Sequence, residues 1–239
     1  MFNIKTFTDI GVSRDNNEDN LMYIEGEFQN KEVAILVVCD GMGGLDDGEY
    51  ASKTVCKKIE DSIVDNDFET IIDLRRAITI AIKNANTEIF NINAGKKKKS
   101  GTTISCALLA DKGYFWHVGD SRIYKIKDST VEQVTTDHTL VNRLIEDGTI
   151  TEEQAKTHPE RNVLTKAVGV FQSVKVQTSS FDYKDSTLVL CSDGFWHSIK
   201  DEEFVKLASN ELALKDLFNL CVDRGETDNV TSIYVKHES

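Results

Sequence analysis

The sequence predicts an α+β chain in which two antiparallel β-sheets stack face to face, with helices packed on the outside. Three observations carry this reading. Strand-like and helix-like segments alternate in blocks along the chain. Many strand-like segments are separated by gaps of hairpin length, which favours antiparallel pairing. A long segment near the middle repeats its apolar residues at helical spacing, so it offers one oily face to a sheet.

The elements follow in order. Strands are read at residues 5–9, 21–25 and 33–39, each rich in β-branched or aromatic residues. Two helices come next, at 49–64 and 71–92. In the second, Leu74, Ala77, Ile78, Ala81, Ile82, Ala85 and Ile89 form one stripe. Strands return at 103–109, 114–118 and 122–126, followed by short helices at 140–146 and 152–155. Strands at 174–181 and 187–191, helices at 201–209 and 214–222, and a last strand at 230–236 complete the chain.

Bulk composition narrows the functions. The 239 residues carry 28 lysines and arginines against 40 acids, a net charge of −12. That balance disfavours nucleic acid and anionic membrane as partners. The longest apolar run, residues 33–39, is far short of the roughly 20 residues that cross a bilayer. The start, "MFNIKTFTDIG", lacks the basic and apolar regions of a signal peptide. Five cysteines lie far apart with no CxxC pair, against both a zinc ribbon and a disulfide framework. These features point to a cytoplasmic protein. With one proline and no low-complexity linker, nothing marks a domain boundary. The run "KKKK", Lys96 to Lys99, reads as a solvated loop between a helix and a strand. It is not a phosphate-binding P-loop, because Gly101 is not followed by lysine.

The acids are the informative residues. Asp40 ends "LVVCDG" and Asp193 ends "LVLCSDG", two near-copies of an apolar strand, a cysteine, an aspartate and a glycine. Asp120 follows "FWHVG", Asp228 precedes "NVTSIYV", and Glu18 and Asp19 precede "NLMYIE". Taken singly, an Asp-Gly is a turn former. Taken together, five strand termini carry acids, and neighbouring strands would bring them to one rim. Such carboxylates repel one another and lose hydration, at a cost of several kcal/mol each. Shared protons or a divalent cation relieve this. An all-oxygen set without histidine or cysteine selects hard ions, Mg²⁺ or Mn²⁺. Gly41 would let its carbonyl approach an ion with no side chain in the way. Arg14, four residues before Glu18, offers a fork that matches two phosphoryl oxygens.

With these residues in place the sequence resembles the metal-dependent protein phosphatase (PPM) family, the type 2C Ser/Thr phosphatases, in its bacterial branch. The segments "IGVSRDNNEDN", "VVCDGMGG", "SGTT", "HVGDSRIY", "TTDHTLV", "HPERNVLTKAVG", "VLCSDGFW" and "ETDNVTSIYV" occur in family order and span nearly the whole chain. The resemblance implies an α/β/β/α sandwich and a single catalytic domain over residues 1–239. It implies that Asp40 bridges two ions and that the Gly41 carbonyl binds one. Asp193 and Asp228 would complete the first ion. Glu18 and Asp19 would serve the second, directly or through water, and Asp120 would contribute to a third, weaker site. Arg14 would bind phosphate, and residues 137–161 would form a flap beside the site. Two or three Mn²⁺ or Mg²⁺ ions would activate a water for attack on phosphoserine or phosphothreonine. A cognate Ser/Thr kinase and a monomeric state are family expectations. Where some members carry a histidine soon after the Asp-Gly, this chain has Met42, so the acid that protonates the leaving group is open.

Other readings are weaker. A cysteine-dependent phosphatase needs arginine six positions after its cysteine; here those positions hold Leu45, Ser62, Lys112, His197 and Thr227. A histidine-aspartate hydrolase would use Asp137 and His138, yet no HxH or HxxxH exists. His138 reads as a flap or capping residue, and Trp116 and Trp196 read as core. A non-catalytic module of the same fold is disfavoured because every metal acid is kept.

Overall fold

The computed structural model describes residues 1–43, 47–64 and 66–237. Gly44 of the "VVCDGMGG" segment lies outside them. In chain order the strands are β1 (Phe2–Asp9), β2 (Asn20–Phe28), β3 (Lys31–Cys39), β4 (Gly41–Met42), β5 (Gly101–Thr102) and β6 (Ile104–Leu109). They continue as β7 (Gly113–Val118), β8 (Arg122–Lys127), β9 (Thr130–Gln133), β10 (Gln177–Phe181), β11 (Thr187–Cys191) and β12 (Val230–His237). The helices are α1 (Asp47–Val64), α2 (Ile71–Ile92), α3 (Leu140–Glu146), α4 (Glu152–Lys156), α5 (Asp193–Trp196), α6 (Asp201–Ala208) and α7 (Leu214–Asp223).

One sheet has the order β1-β12-β11-β8-β9 and the other β10-β7-β6-β3-β2, with β4 and β5 forming a small separate ribbon. All pairings are antiparallel. Period-2 alternation sorts the side chains of these strands into layers. Ala34, Leu36 and Val38 of β3 meet Ala107, Leu109, Ile123, Leu188, Leu190 and Ile233 between the sheets. Ile35, Val37 and Cys39 face the other way, onto the α1–α2 pair. On the far side Tyr124, Val189, Cys191 and Tyr234 cover Phe204, Leu217 and Phe218 of α6 and α7. The result is the predicted four-layer sandwich. It explains why β3 is apolar throughout: both of its faces are covered.

Local signals set the helices. Thr70 caps α2 by accepting from the Asp73 backbone N–H at 3.1 Å, while the Asp73 carboxylate accepts from the Thr70 N–H. The predicted stripe turns inward: Leu74, Ile78, Ala81, Ile82, Ala85 and Ile89 are buried, while Ala77 at its edge is half-buried. The Lys96–Lys99 run lies exposed between α2 and β5, as a solvated loop should.

The structure departs from the sequence reading in several places. β9 pairs with β8 through a two-residue turn in which Asp128 and Ser129 have φ of 49° and 64°. That turn takes Asp-Ser in place of the usual Asn-Gly, and β9 has Val131 as its one apolar side chain. α5 follows β11 directly, so Asp193 opens a helical turn and is not a strand end. The strand read at 174–181 begins at Gln177.

Antiparallel order fixes where the acids go. The register sets Asn20, the start of β2, against Cys39, the end of β3. It sets Ile104, the start of β6, against Val118, the end of β7. In the other sheet Cys191, the end of β11, lies against Arg122, the start of β8. Val230, the start of β12, lies against Asp9, the end of β1. Starts and ends therefore alternate along one edge of each sheet, and Asp19, Asp40, Asp120, Asp193 and Asp228 all lie just beyond that edge.

Candidate active site

The two sheet edges are tied to each other at this rim. Ser192 donates to the Asp19 carboxylate at 2.7 Å, and the Glu18 N–H donates to Asn229 Oδ1 at 2.8 Å. Ser192 stands at the N-cap position of α5 yet makes no side-chain cap bond; its hydroxyl serves Asp19. Asn229 is a latch. Its amide nitrogen donates to the carbonyls of Ile10 and Asn16, at 2.8 and 3.1 Å, so one buried side chain holds the whole 10–18 loop that carries Arg14 and Glu18.

Asp40 is fixed by its backbone. Its N–H donates to Thr103 Oγ1 at 2.9 Å, and its carbonyl accepts from the Thr103 N–H at 2.8 Å and the Thr102 hydroxyl at 2.9 Å. The "SGTT" stretch thus frames the Asp40 backbone. At Gly41, a Cβ would lie 2.3 Å from the Gly48 carbonyl oxygen and 2.5 Å from that of Glu18. Close backbone approach therefore excludes any side chain there.

The acids act on one another. Asp19 and Asp120 are buried, while Asp40, Asp193 and Asp228 keep partial exposure. Loss of surrounding water pushes the Asp40 carboxyl far up, and the charges of Asp19, Asp193, Asp120 and Asp228 add to that. Burial raises Asp120 strongly too, helped by Asp193 and Asp137. Asp19 is pushed up to about 7, by burial first, against hydrogen bonds from Ser192 and Thr231. Burial also raises Asp193, and the Asp228 charge adds to that. Carboxyl groups that lose water and raise one another in this way are relieved by protons or by cations among them.

Glu18 stands slightly apart. Burial raises its carboxyl, and its Oε1 is buried without a hydrogen-bond partner. Of the two acids before β2, Asp19 is the one acting most strongly on Asp40. Among the described residues no three acid, histidine or cysteine side chains close into a finished metal cage. The donors are nevertheless of one kind, all oxygen and mutually repulsive, with an orphaned carboxylate oxygen beside them. This set fits hard divalent cations completed by water.

Arg14 reaches the same rim. Its Nη2 donates to Asp228 Oδ2 at 2.6 Å, and Glu18 and Asp40 also bear on its charge. The rim opens on a cleft of about 1170 Å³ walled by Arg14, Asp120, Asp193 and Asp228 on one side. Val141, Ile145, Ala155 and Arg161 face them from the other. That second wall is the 139–164 excursion, which contains α3 and α4 and is closed at its neck by the Thr139–Leu164 bridge.

Several groups at the site carry no signal in the sequence taken alone. Arg122 grips Asp137 by its Nε and Nη2, at 3.0 and 2.6 Å, and stacks 3.2 Å from the centre of the Trp196 ring. Trp196 in turn donates to the Asp120 carbonyl at 2.9 Å. Trp196 packs on the core beneath α6 and α7 and also walls the cleft, whereas Trp116 is buried core as expected. His138 accepts from the Gly119 N–H at 3.1 Å and stacks on buried His117, consistent with a capping role. The five cysteines are buried free thiols.

The family model for protein phosphatase 2C matches residues 13–231. A serine/threonine phosphatase of Listeria monocytogenes is 31% identical over 241 residues, covering 97% of this chain and 94% of its own. The solved serine/threonine phosphatase of S. agalactiae superposes with a TM-score of 0.91 at 30% identity, covering 100% of both chains. The catalytic domain of the serine/threonine protein phosphatase PstP, solved in complex with two manganese ions, superposes with a TM-score of 0.78 at 25% identity over 98% of this chain and 97% of its own. No helix among the described residues is long and apolar enough to cross a membrane. On this evidence the chain belongs to the protein phosphatase 2C family, the PPM class of serine/threonine phosphatases.

Proposed function

We propose that this chain is one catalytic domain that hydrolyses phosphoserine and phosphothreonine in proteins, with two Mn²⁺ or Mg²⁺ ions held by its acid rim. Family membership makes it a serine/threonine phosphatase. The observation that supports the metal reading is that Asp40, removed from water, bears the charges of Asp19, Asp193, Asp120 and Asp228 at once. Uncompensated, that cluster opposes folding at neutral pH.

Asp40 and the Gly41 carbonyl would hold the ions from the floor. Asp193 and Asp228 would complete one of them, and Asp19 and Glu18 would serve the other, with Asp120 reserved for a third. Bound there, the ions supply an activated water for in-line attack on phosphorus and offset the charge of the phosphoryl oxygens. The chain's own part is placement. Thr102 and Thr103 fix the Asp40 backbone, and Asn229 fixes the loop of Arg14. Arg14 uses one donor on Asp228; its remaining donors match phosphoryl oxygens. The 139–164 excursion would act as the flap that selects protein substrates. A cytoplasmic, monomeric enzyme opposing a Ser/Thr kinase completes the reading.

Release of phosphate from para-nitrophenyl phosphate and from a phosphothreonine peptide tests it. Turnover with Mn²⁺ that stops in EDTA is the expected result. A correctly folded protein that binds a phosphopeptide without turnover under any metal would instead favour a non-catalytic module.

A further inference from the structure

On the other side of α3 from the acid rim lies a second cavity of about 400 Å³. Thr136, Asp137, Thr139, Asn142 and Glu146 line both spaces, so the two adjoin at one short helix. Their charges are opposite. The second cavity is walled by Lys166, Lys175 and Arg143. Its acids are fewer: Asp137 is already held by the fork of Arg122, which leaves Glu146. Arg143 has only a loose partner, Asp147 at 3.9 Å. Lys166 and Lys175 make no hydrogen bond or ion pair among the described residues, and they repel each other. Partial burial and the neighbouring Lys175 charge together push the Lys166 ammonium down. Lys166, half-buried, and Lys175, exposed, thus line a threonine-rich hollow with Glu146 as the one acid that offsets Lys166. An anionic group there would relieve their repulsion and meet donors from both.

We propose that this basic cavity receives an anionic group of the substrate protein, a carboxylate or a second phosphoryl group, while the phosphorylated residue to be hydrolysed sits in the acid cleft. The inference rests on the phosphatase reading of that cleft. It resolves a conflict of charge: an acidic protein must attract anionic substrates, and the rim alone repels everything but the phosphoryl group that ions would draw in. The cavity selects phosphopeptides that carry a further negative charge at one spacing from the scissile phosphate.

The test compares phosphothreonine peptides of equal length. One has neutral flanks, one carries a single glutamate, and one carries a second phosphothreonine, with the added group stepped along the peptide. Wild type should show a KM roughly five- to tenfold lower for the anionic peptide at one spacing, the range two partly exposed charge pairs provide. The glutamate and phosphothreonine arms tell which anion is preferred. The K166A/K175A variant should lose the preference while hydrolysing para-nitrophenyl phosphate as wild type does, and K175E alone should weaken it. Equal KM at every spacing in wild type, or a preference kept in K166A/K175A, overturns the proposal. Failure of wild type to hydrolyse para-nitrophenyl phosphate with Mn²⁺ would overturn the phosphatase reading instead. Fluorescence anisotropy with the same peptides then makes the same comparison by affinity.

Discussion

Asn229 is the residue on which the rim's assembly most depends, and Asn229→Ala shows how much. The side chain is buried and makes three hydrogen bonds: from the Glu18 N–H, to the Ile10 carbonyl and to the Asn16 carbonyl. Each is worth about 1 kcal/mol net, and a buried partner left unsatisfied costs about 1–3 kcal/mol. Water reaches part of the vacated space, because Asn16 and Glu18 are only half-buried. The sum is about 3 kcal/mol, or roughly 6–12 °C in Tm for a domain of this size. Urea unfolding in EDTA reads that loss free of metal. The loop released by the substitution carries Arg14, whose guanidinium touches Asp228, the neighbour of Asn229. Misplacement of such a group by about 1 Å lowers kcat/KM by about a hundredfold. Asn229→Asp keeps the acceptor, loses both donations and sets another charge beside Asp228, so it should be worse than alanine in EDTA. Stability within about 0.5 kcal/mol of wild type, together with unimpaired hydrolysis, would refute the latch.

Asp40→Asn should raise the Tm in EDTA, because it removes one charge from a repulsive buried group, and should abolish the Tm rise that Mn²⁺ gives wild type; thermal melts with and without Mn²⁺ read both. Gly41→Ala places a methyl group against the Glu18 and Gly48 carbonyls and should cost several kcal/mol, about 2–4 from forced backbone movement, measured by urea unfolding. His117 is fully buried, and burial together with neighbouring His138 pushes its imidazole down to about 3. The unfolded chain takes up that proton below about 6.5 and the folded one does not, so this group's contribution to stability is lost as pH falls from about 6.5 toward 3. His117→Gln should flatten the acid limb of the stability curve relative to wild type, a difference that urea midpoints from pH 7 to 4 would show.

Much of the fold was legible because its strands obey simple patterns. The run 33–39 announced a buried strand, and the stripe from Leu74 to Ile89 announced α2. β9 was hidden because one valine among polar residues, after an Asp-Ser turn, is a weak strand signal. At the site, the acids were legible by their positions after or before strands, since antiparallel order places alternate strand ends on one edge. What could not be read were partners distant in sequence. The bonds of Asn229 to Ile10 and Asn16 span more than two hundred residues. The stack of Arg122 on Trp196 and its grip on Asp137 depend on how the 139–164 excursion folds back. Lys166 and Lys175 had no meaning apart from α3, which brings their cavity beside the cleft. The sequence likewise left open which of Glu18 and Asp19 matters more to Asp40, whereas in the structure Asp19 is buried, bonded by Ser192, and bears on Asp40 the more strongly.

Divalent ions would occupy the space among carboxylates that otherwise repel. Anomalous diffraction at the manganese edge, from crystals soaked in Mn²⁺, measures this directly. Two strong peaks are expected within the group formed by Asp19, Asp40, Asp193 and Asp228, and neither peak in crystals of Asp40→Asn. Density free of manganese at that rim, with the wild-type carboxylates unchanged, would contradict it.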